Sequence, residues 1–504
     1  MTAVLADALD PRTVVLTEDF EPTLDQTARA GRPLSVTLTR PVLDAVRACH
    51  EFALRRITDG GAVYGATTGL GPMVIYPGQQ DPADQCRNVL GHLGAGQGPE
   101  LDADVVRAAM LVRLSTLCRA HSGVSVRVVE ALAAALRTDF TPAVPRLGSL
   151  GASGDLIPLS YVARALQGEG FAFVDGIRMP SADALRLAGL SPLELDGRDA
   201  LALVNGTSLT AAAAALTVRS LRTSTRGALR LSALQADLLG STTAHLEPEL
   251  LAAFGHPGTA AAGATLRTLM DGGGTGAGRP LQEPYSIRCT PQLIGAAHDA
   301  LEYAEKVVTT DLRSVSDNPL FFPDSDVVAH GGNFFGQPVA FAADLMNIVA
   351  VQLGNLAERQ LDLLIDPHRN GGLPPMLANV PGCQHGVQGV QLAATAIVAS
   401  MRRTATPASM QSLPTNWHNQ DVIPFGTQAA LGALDQARLL RLLHGSLALA
   451  LRQAAYVSGR KPSSPASTEL LGSLAEAVAP IDFDRPLDNE VRKAADVLDE
   501  LCAR

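Results

Sequence analysis

The sequence predicts a mainly α protein: a core of long bundled helices, preceded by a smaller N-terminal domain that carries two glycine-rich loops. Three observations carry this. Hydrophobic residues make up 46% of the 504 residues and aromatics only 4%. Ala and Leu dominate, a composition that suits closely packed helices better than an aromatic-rich sandwich. Apolar residues also recur at helical spacing over Ser208–Leu239, Val339–Ile365, Gln388–Thr404 and Gln428–Val457, long patterns of the kind a bundle needs. Finally, the texture changes near residue 200, from short segments broken by Gly and Pro to these long runs. That divides the chain into 1–200 and 201–504.

Taken in order, residues 1 to about 40 read as a polar lead-in. Val42, Leu43, Val46 and Phe52 then recur at helical spacing from Pro41 to Ile57. Gly60-Gly61-Ala62-Val63-Tyr64-Gly65-Ala66-Thr67-Thr68-Gly69-Leu70-Gly71-Pro72 follows, a flap in which glycines surround one tyrosine. Residues 83–138 read as helices interrupted at Gly91–Gly98 and at His121-Ser122-Gly123. After the Gly148–Gly154 loop come about forty residues containing Gly168-Glu169-Gly170, expected to hold a few strands. Asp271 to Gly278 has no preceding strand and the wrong glycine spacing for a dinucleotide loop, so it reads as a linker. Leu364–Gly386 is a Gly- and Pro-rich connection between helices.

The bulk properties exclude several classes. A net charge of −10 leaves no basic footprint for nucleic acid. Six cysteines without CxxC spacing read as reduced thiols of a cytoplasmic protein, with no zinc or other metal motif. Met1 to Asp10 has neither a basic start nor an apolar run, so no secretory signal is expected. The apolar stretch Val339–Ile365 contains Asp344, Asn347, Gln352 and Glu358. A membrane span tolerates these poorly, so it is expected to be a buried bundle helix.

The stretch with unusual chemistry is Val144 to Ser160, centred on Ala152-Ser153-Gly154. In a sharp bend the Gly154 nitrogen can attack the Ala152 carbonyl. Loss of water from that step and from Ser153 then leaves a conjugated, electrophilic five-membered ring. Gly lacks the β-carbon that would obstruct the approach, Ala is small, and the Ser hydroxyl leaves. Ala-Ser-Gly alone is common in loops; the frame around it is not. A Gly-x-Ser-x-Gly nucleophile elbow fails because Asp155 occupies the last position.

Gly-Ser-Leu-Gly-Ala-Ser-Gly-Asp-Leu-Ile-Pro-Leu-Ser closely resembles the signature of the aromatic amino acid ammonia-lyases and 2,3-aminomutases. These build a methylideneimidazolone (MIO) group from the triplet, without an external cofactor. Further segments extend the resemblance over roughly residues 60–430: Tyr64-Gly-x-x-Thr-Gly-x-Gly, Asn205-Gly206-Thr207-Ser208, Gln282 to Cys289, Gly331 to Gln337, and Asn416 to Val422. Each also has an ordinary reading as a helix cap, a turn or a solvated charge.

The resemblance implies a fold of the ammonia-lyase kind, with the first domain holding the tyrosine lid and the MIO-forming loop. It makes Tyr64 the base that removes the β-hydrogen, Asn205 a partner of the prosthetic group, and Tyr285 a neighbour of the ring-forming loop. Arg288 and Asn333 take the substrate carboxylate, the former through a guanidinium fork, and Phe334 packs near the ring. Leu156, Asn416, Asn419 and Gln420 complete the substrate set, and His92-Leu93 sets the choice of aromatic ring. His with Leu is the tyrosine-selective pattern, which points to conversion of L-tyrosine to trans-p-coumarate. A 2,3-aminomutase shares every motif, a histidine lyase fits His92 and Gln420 less well, and a helical scaffold without the chemistry lies outside the class. A homotetramer with shared active sites is the implied assembly.

A tyrosine acting as base near neutral pH needs its pKa lowered from ~10, which converging helix N-termini can supply. Gln97, Trp417 and Pro424-Phe425 depart from the usual pattern.

Overall fold

The computed structural model describes residues 10–273 and 278–503. Residues 1–9, 274–277 and 504 lie outside the described residues, and with them the reading of the N-terminal segment and the centre of the Asp271–Gly278 linker. Among the described residues there are eighteen α-helices and nine short strands, so the chain is mainly α. Contacts group them into two compact units. The first joins the chain up to Arg219 with Glu305–Asp344 and Pro407–Leu431; the second joins Ser220–Ala304, Leu345–Thr406 and the chain from Gly432 onward. Each unit thus draws on three segments, where the change of texture near residue 200 suggests a single cut.

In the first unit, the expected polar lead-in is structured. Strands Thr13–Leu16 and Ser35–Leu38 pair in parallel, because Val14, Leu16 and Val36 alternate inward and are at most 3% exposed. The helix read from Pro41 to Ile57 runs Arg40–Thr58. Helices Pro82–Leu93, Ala103–Leu117 and Val126–Leu136 fill the broken helical region, and hairpin Phe171–Val174/Ile177–Pro180 supplies the strands expected after the signature loop.

Four long helices contribute to the second unit: Ser208–Leu239, Thr290–Leu312, Gln337–Ile365 and Gly426–Ser458. Inside that unit their polar groups find partners. Gln235 Nε2 donates to the Gln360 carbonyl at 2.9 Å and Gln360 Nε2 to Ser232 Oγ at 2.8 Å. Asp237 accepts the Ser463 and Ser464 N–H groups ahead of helix Pro465–Ala477. By length and composition Gln337–Ile365 could cross a membrane, but 72% of its most apolar window is buried within the protein. Its Asp344 accepts the N–H groups of Ala408 and Ser409 at 3.0 and 2.9 Å, as a buried bundle helix requires.

Candidate active site

The signature loop sits where a helix starts. Asp155 precedes helix Leu156–Leu166, and the loop is held by a carboxylate with four donors. Ser149 Oγ, Thr210 Oγ1 and Thr427 Oγ1 donate to Asp155 Oδ1 at 2.9, 2.8 and 2.8 Å, and Thr210 N donates to Oδ2 at 2.9 Å. Thr210 and Thr427 lie in the first turns of helices Ser208–Leu239 and Gly426–Ser458. Three helix N-termini therefore meet at the loop, and their dipoles favour negative charge there. Burial pushes the Asp155 carboxyl up, against the pull of these hydrogen bonds.

The bend at the triplet is one that only glycine accommodates. Gly154 has φ +69°, and a β-carbon on it would stand 2.4 Å from the Gly206 carbonyl oxygen. Gly206 in turn bridges Gly154 in parallel and accepts from Asp155 N at 2.7 Å. Next to it, Asn205 Nδ2 donates to the Ser153 carbonyl at 2.8 Å, while Asn205 Oδ1 is buried without a partner. Gln420 Nε2 donates to Ser153 Oγ at 2.8 Å, its own oxygen accepting from Thr415 Oγ1 at 2.6 Å. The tight bend, the cradle closed to a β-carbon and the orphaned amide oxygen fit a ring built from these three residues.

The triplet opens into a cavity of about 1300 Å³, wholly within the first unit. Of the sequence-predicted residues, Tyr64, His92, Leu93, Ala152, Ser153, Gly154, Leu156, Asn205, Phe334, Asn416, Asn419 and Gln420 line it. Asn333 does not; it is exposed, with Nδ2 3.5 Å from the Val315 carbonyl. Tyr285 and Arg288 do not either. They belong to the short helix Tyr285–Arg288 of the second unit, with the guanidinium 4.7 Å from the Tyr285 ring centre and the tyrosine 71% exposed.

Tyr64 stands on the flap with its phenol oxygen accepting the Gly71 N–H at 2.6 Å and its own N–H donating to His330 Nε2 at 3.3 Å. Burial pushes the phenol up, only the Gly71 bond opposing it. The direction is opposite to what a base requires, so the lowering expected from helix N-termini does not prevail at the phenol within this chain. His92 Nδ1 lies 3.0 Å from the Asn88 carbonyl. A carbonyl can only accept, so Nδ1 carries a proton, and in the matching tautomer Nε2 is the acceptor.

Sequence reasoning missed the groups that shape the site from behind. Arg113 donates to the Ala202 carbonyl, and Arg113 and Arg198 flank Asp317 at 3.5 and 3.2 Å, all nearly devoid of solvent. A β-carbon at Gly206 would meet Arg113 Nη1 at 2.2 Å, so the Asn205-Gly206 turn rests on that guanidinium. At the rim, Asn416, Trp417 and His418 all have positive φ, 50°, 52° and 62°. Three consecutive non-glycine residues in this region store strain of the kind found at functional sites.

Comparison with known proteins agrees with this geometry. Residues 23–476 match the family described as aromatic amino acid lyase. A tyrosine ammonia-lyase of Cereibacter sphaeroides is 38% identical, the alignment covering 97% of this chain and 98% of that protein. A histidine ammonia-lyase of Symbiobacterium thermophilum is 37% identical over 92% of each. The crystal structure of tyrosine aminomutase from Streptomyces globisporus superposes with a TM-score of 0.90 at 33% identity, over 97% of both chains. With the triplet, its cradle and these matches together, the chain belongs to the aromatic amino acid lyase family, the carbon–nitrogen lyases of the ammonia-lyase and aminomutase class.

Proposed function

We propose that this enzyme eliminates ammonia from L-tyrosine to give trans-p-coumarate. Overall identity does not choose the substrate, since tyrosine and histidine lyases are nearly equally similar. The choice rests on His92. Its Nδ1 proton is committed to Asn88, so Nε2 accepts a hydrogen bond, and a tyrosine phenol is the donor that fits. A site built to bond a hydroxyl rejects the analogue lacking it, because its polar group is left unpaired. Leu93 beside it and an amide rather than a carboxylate at Gln420 disfavour an imidazole substrate.

When formed, the MIO group of Ala152-Ser153-Gly154 supplies an electrophile that turns the substrate amine into a better leaving group. Asn205 and Gln420 hold the Ser153 carbonyl and hydroxyl in place for it. Tyr64 takes the β-hydrogen through its phenol oxygen, which the Gly71 N–H orients. Phe334 and Leu156 pack the apolar part of the substrate, and Asn416 and Asn419 bond its polar atoms. The phenol needs more positive potential than this chain alone gives it. We infer a homotetramer with shared sites, in which Arg288 and Tyr285 of other copies complete the cavity and Arg288, with Asn333, binds the carboxylate. The exposure of Tyr285 supports this. The six cysteines are free thiols, which fits a cytoplasmic enzyme.

A second reading, a tyrosine 2,3-aminomutase, is favoured by the likeness to the Streptomyces globisporus structure. It would retain the unsaturated acid and return ammonia to the β-carbon. Intact-protein mass, read together with the products formed from tyrosine, phenylalanine and histidine, tests all of these. A deficit of two waters with free coumarate supports the lyase, β-tyrosine the mutase. Unmodified Ser153 in folded, assembled protein overturns both and leaves the inactive scaffold.

A further inference from the structure

We propose that Gln85 is the positioning residue that holds the Tyr64 flap against the cavity. The proposal rests on Tyr64 acting at the reaction centre, as argued above. Gln85 sits on helix Pro82–Leu93, on the same strip as His92, and is only 4% exposed. A glutamine on an amphipathic helix ordinarily turns to solvent. This one spends its whole amide on the flap. Nε2 donates to the Gly65 carbonyl at 3.0 Å and lies 3.4 Å from the Thr68 carbonyl, and Oε1 accepts the Gln79 N–H at 2.9 Å.

Those three groups belong to the two ends of one loop. Between them the flap closes on itself, with Gly78 N donating to Thr67 O, Gly69 N to Tyr76 O, and Thr68 bridging Pro77. Gly65 follows Tyr64 directly and has φ +73°; a β-carbon there would meet Leu201 Cδ2 at 2.3 Å. The first carbonyl Gln85 grips is therefore one peptide from the base. Among the described residues Tyr64 itself is tied at two points, its N–H to His330 and its phenol to Gly71, and Gly71 lies inside the segment that Gln85 clamps. Removing the amide would leave the Gly65 carbonyl buried without this partner and would release the half-buried Thr68 carbonyl and the Gln79 N–H. Water can satisfy the Gly65 carbonyl only if the flap lifts, carrying Tyr64 and the Gly71 donor away.

Gln85→Met keeps the length and apolar fit of the side chain and removes all three bonds. At about a factor of five to ten per bond, the closed-to-open ratio should fall by about a hundredfold to a thousandfold, with kcat falling as the open form becomes populated and near-ultraviolet ring absorbance unchanged. Hydrogen exchange should show lost protection at Gly71, Gly78 and Gln79, and none lost in helix Ala103–Leu117. Gln85→Glu separates the clamp from general packing. Its protonated acid offers an O–H toward Gly65 and a C=O toward Gln79, whereas its ionised form offers acceptors to both carbonyls. Protection factors at Gly71 and Gly78 should therefore recover as the pH falls through the introduced carboxyl's titration, and stay low in the Met variant at every pH. A Met variant with wild-type kcat, lost activity with the flap still protected, or failure of both variants to form the ring would each overturn the proposal. Should Tyr64→Phe remain active, the reading of Tyr64 fails, but the exchange result for Gln85 stands or falls separately.

Discussion

Ring formation should depend on the buried carboxylate behind the triplet, and Asp155→Asn tests this at constant shape. Three hydroxyls converge on Oδ1 and the Thr210 N–H alone on Oδ2. The amide would therefore keep its oxygen toward the hydroxyls and turn its NH₂ toward Thr210. One charge-assisted bond becomes a donor–donor contact, and the rest drop from charged to neutral strength. With hydrogen bonds to charge contributing about 1.5–3 kcal/mol and neutral ones about 1 kcal/mol, the bent loop loses at least roughly 3 kcal/mol of support. At about 1.4 kcal/mol per factor of ten, cyclisation should slow by at least about a hundredfold. The assay is the growth of near-ultraviolet absorbance during refolding, with intact mass reporting the fraction of chains that have lost two waters. A variant that cyclises at the wild-type rate would refute the idea that this carboxylate draws the helix starts around the bend.

Three further outcomes are expected. Tyr64→Phe should keep the ring, by mass, and lose turnover by at least a hundredfold, the low end of what a positioned base contributes. His92→Phe should shift preference from tyrosine toward phenylalanine in kcat/KM, since it removes the Nε2 acceptor; retained tyrosine preference would refute the assignment. His444 is buried neutral, with its pKa pushed down to about 4 from 6.5 by desolvation. The unfolded chain then binds the proton more readily, so stability is full above pH 6.5 and is lost as pH falls through about 4. The loss reaches about 3 kcal/mol. Asp311, raised to about 6 by burial, works in the opposite sense between about 4 and 6 but is common to wild type and variant. Urea unfolding of His444→Leu should therefore be less acid-sensitive than wild type by about that amount, and equal sensitivity would count against it.

What could be read from the sequence was what is contiguous. The triplet, its flanking glycines and the Asn416–Val422 segment carry their chemistry in adjacent residues, and the long helices announce themselves by period. Thr290–Leu312 is legible in the same way, through Ile294, Ala297, Leu301, Ala304 and Val308, all buried, though it is not among the helices read from the sequence. The supports of the site are of another kind. Asp155 meets Thr427 across 272 positions and Ser149 meets it across 278; no local pattern encodes which helix starts will share a carboxylate. Gln85 likewise looks like one more polar residue on a half-exposed helix.

The buried arginines mark an intermediate case, and they show where a signal was available. Helix Ala103–Leu117 has no polar stripe: thirteen of its fifteen residues are buried, Arg107 and Arg113 among them. A helix apolar on every side offers its charged residues no water, so any arginine within it must find its partners inside the protein. Arg107 finds them in the Ala30, Leu136 and Phe140 carbonyls, and Arg113 in Ala202 and Asp317. Desolvation pulls both down to about 10, yet that still leaves them charged at neutral pH. At neutral pH the positive charge of Arg113 thus lies directly behind the Asn205-Gly206 turn, and it adds to the helix N-termini in favouring negative charge at the triplet. Burial still holds the Tyr64 phenol above its ordinary value, so this potential alone does not make it a base. In the proposed homotetramer, a guanidinium such as Arg288 of another copy is the kind of group that would supply the remainder.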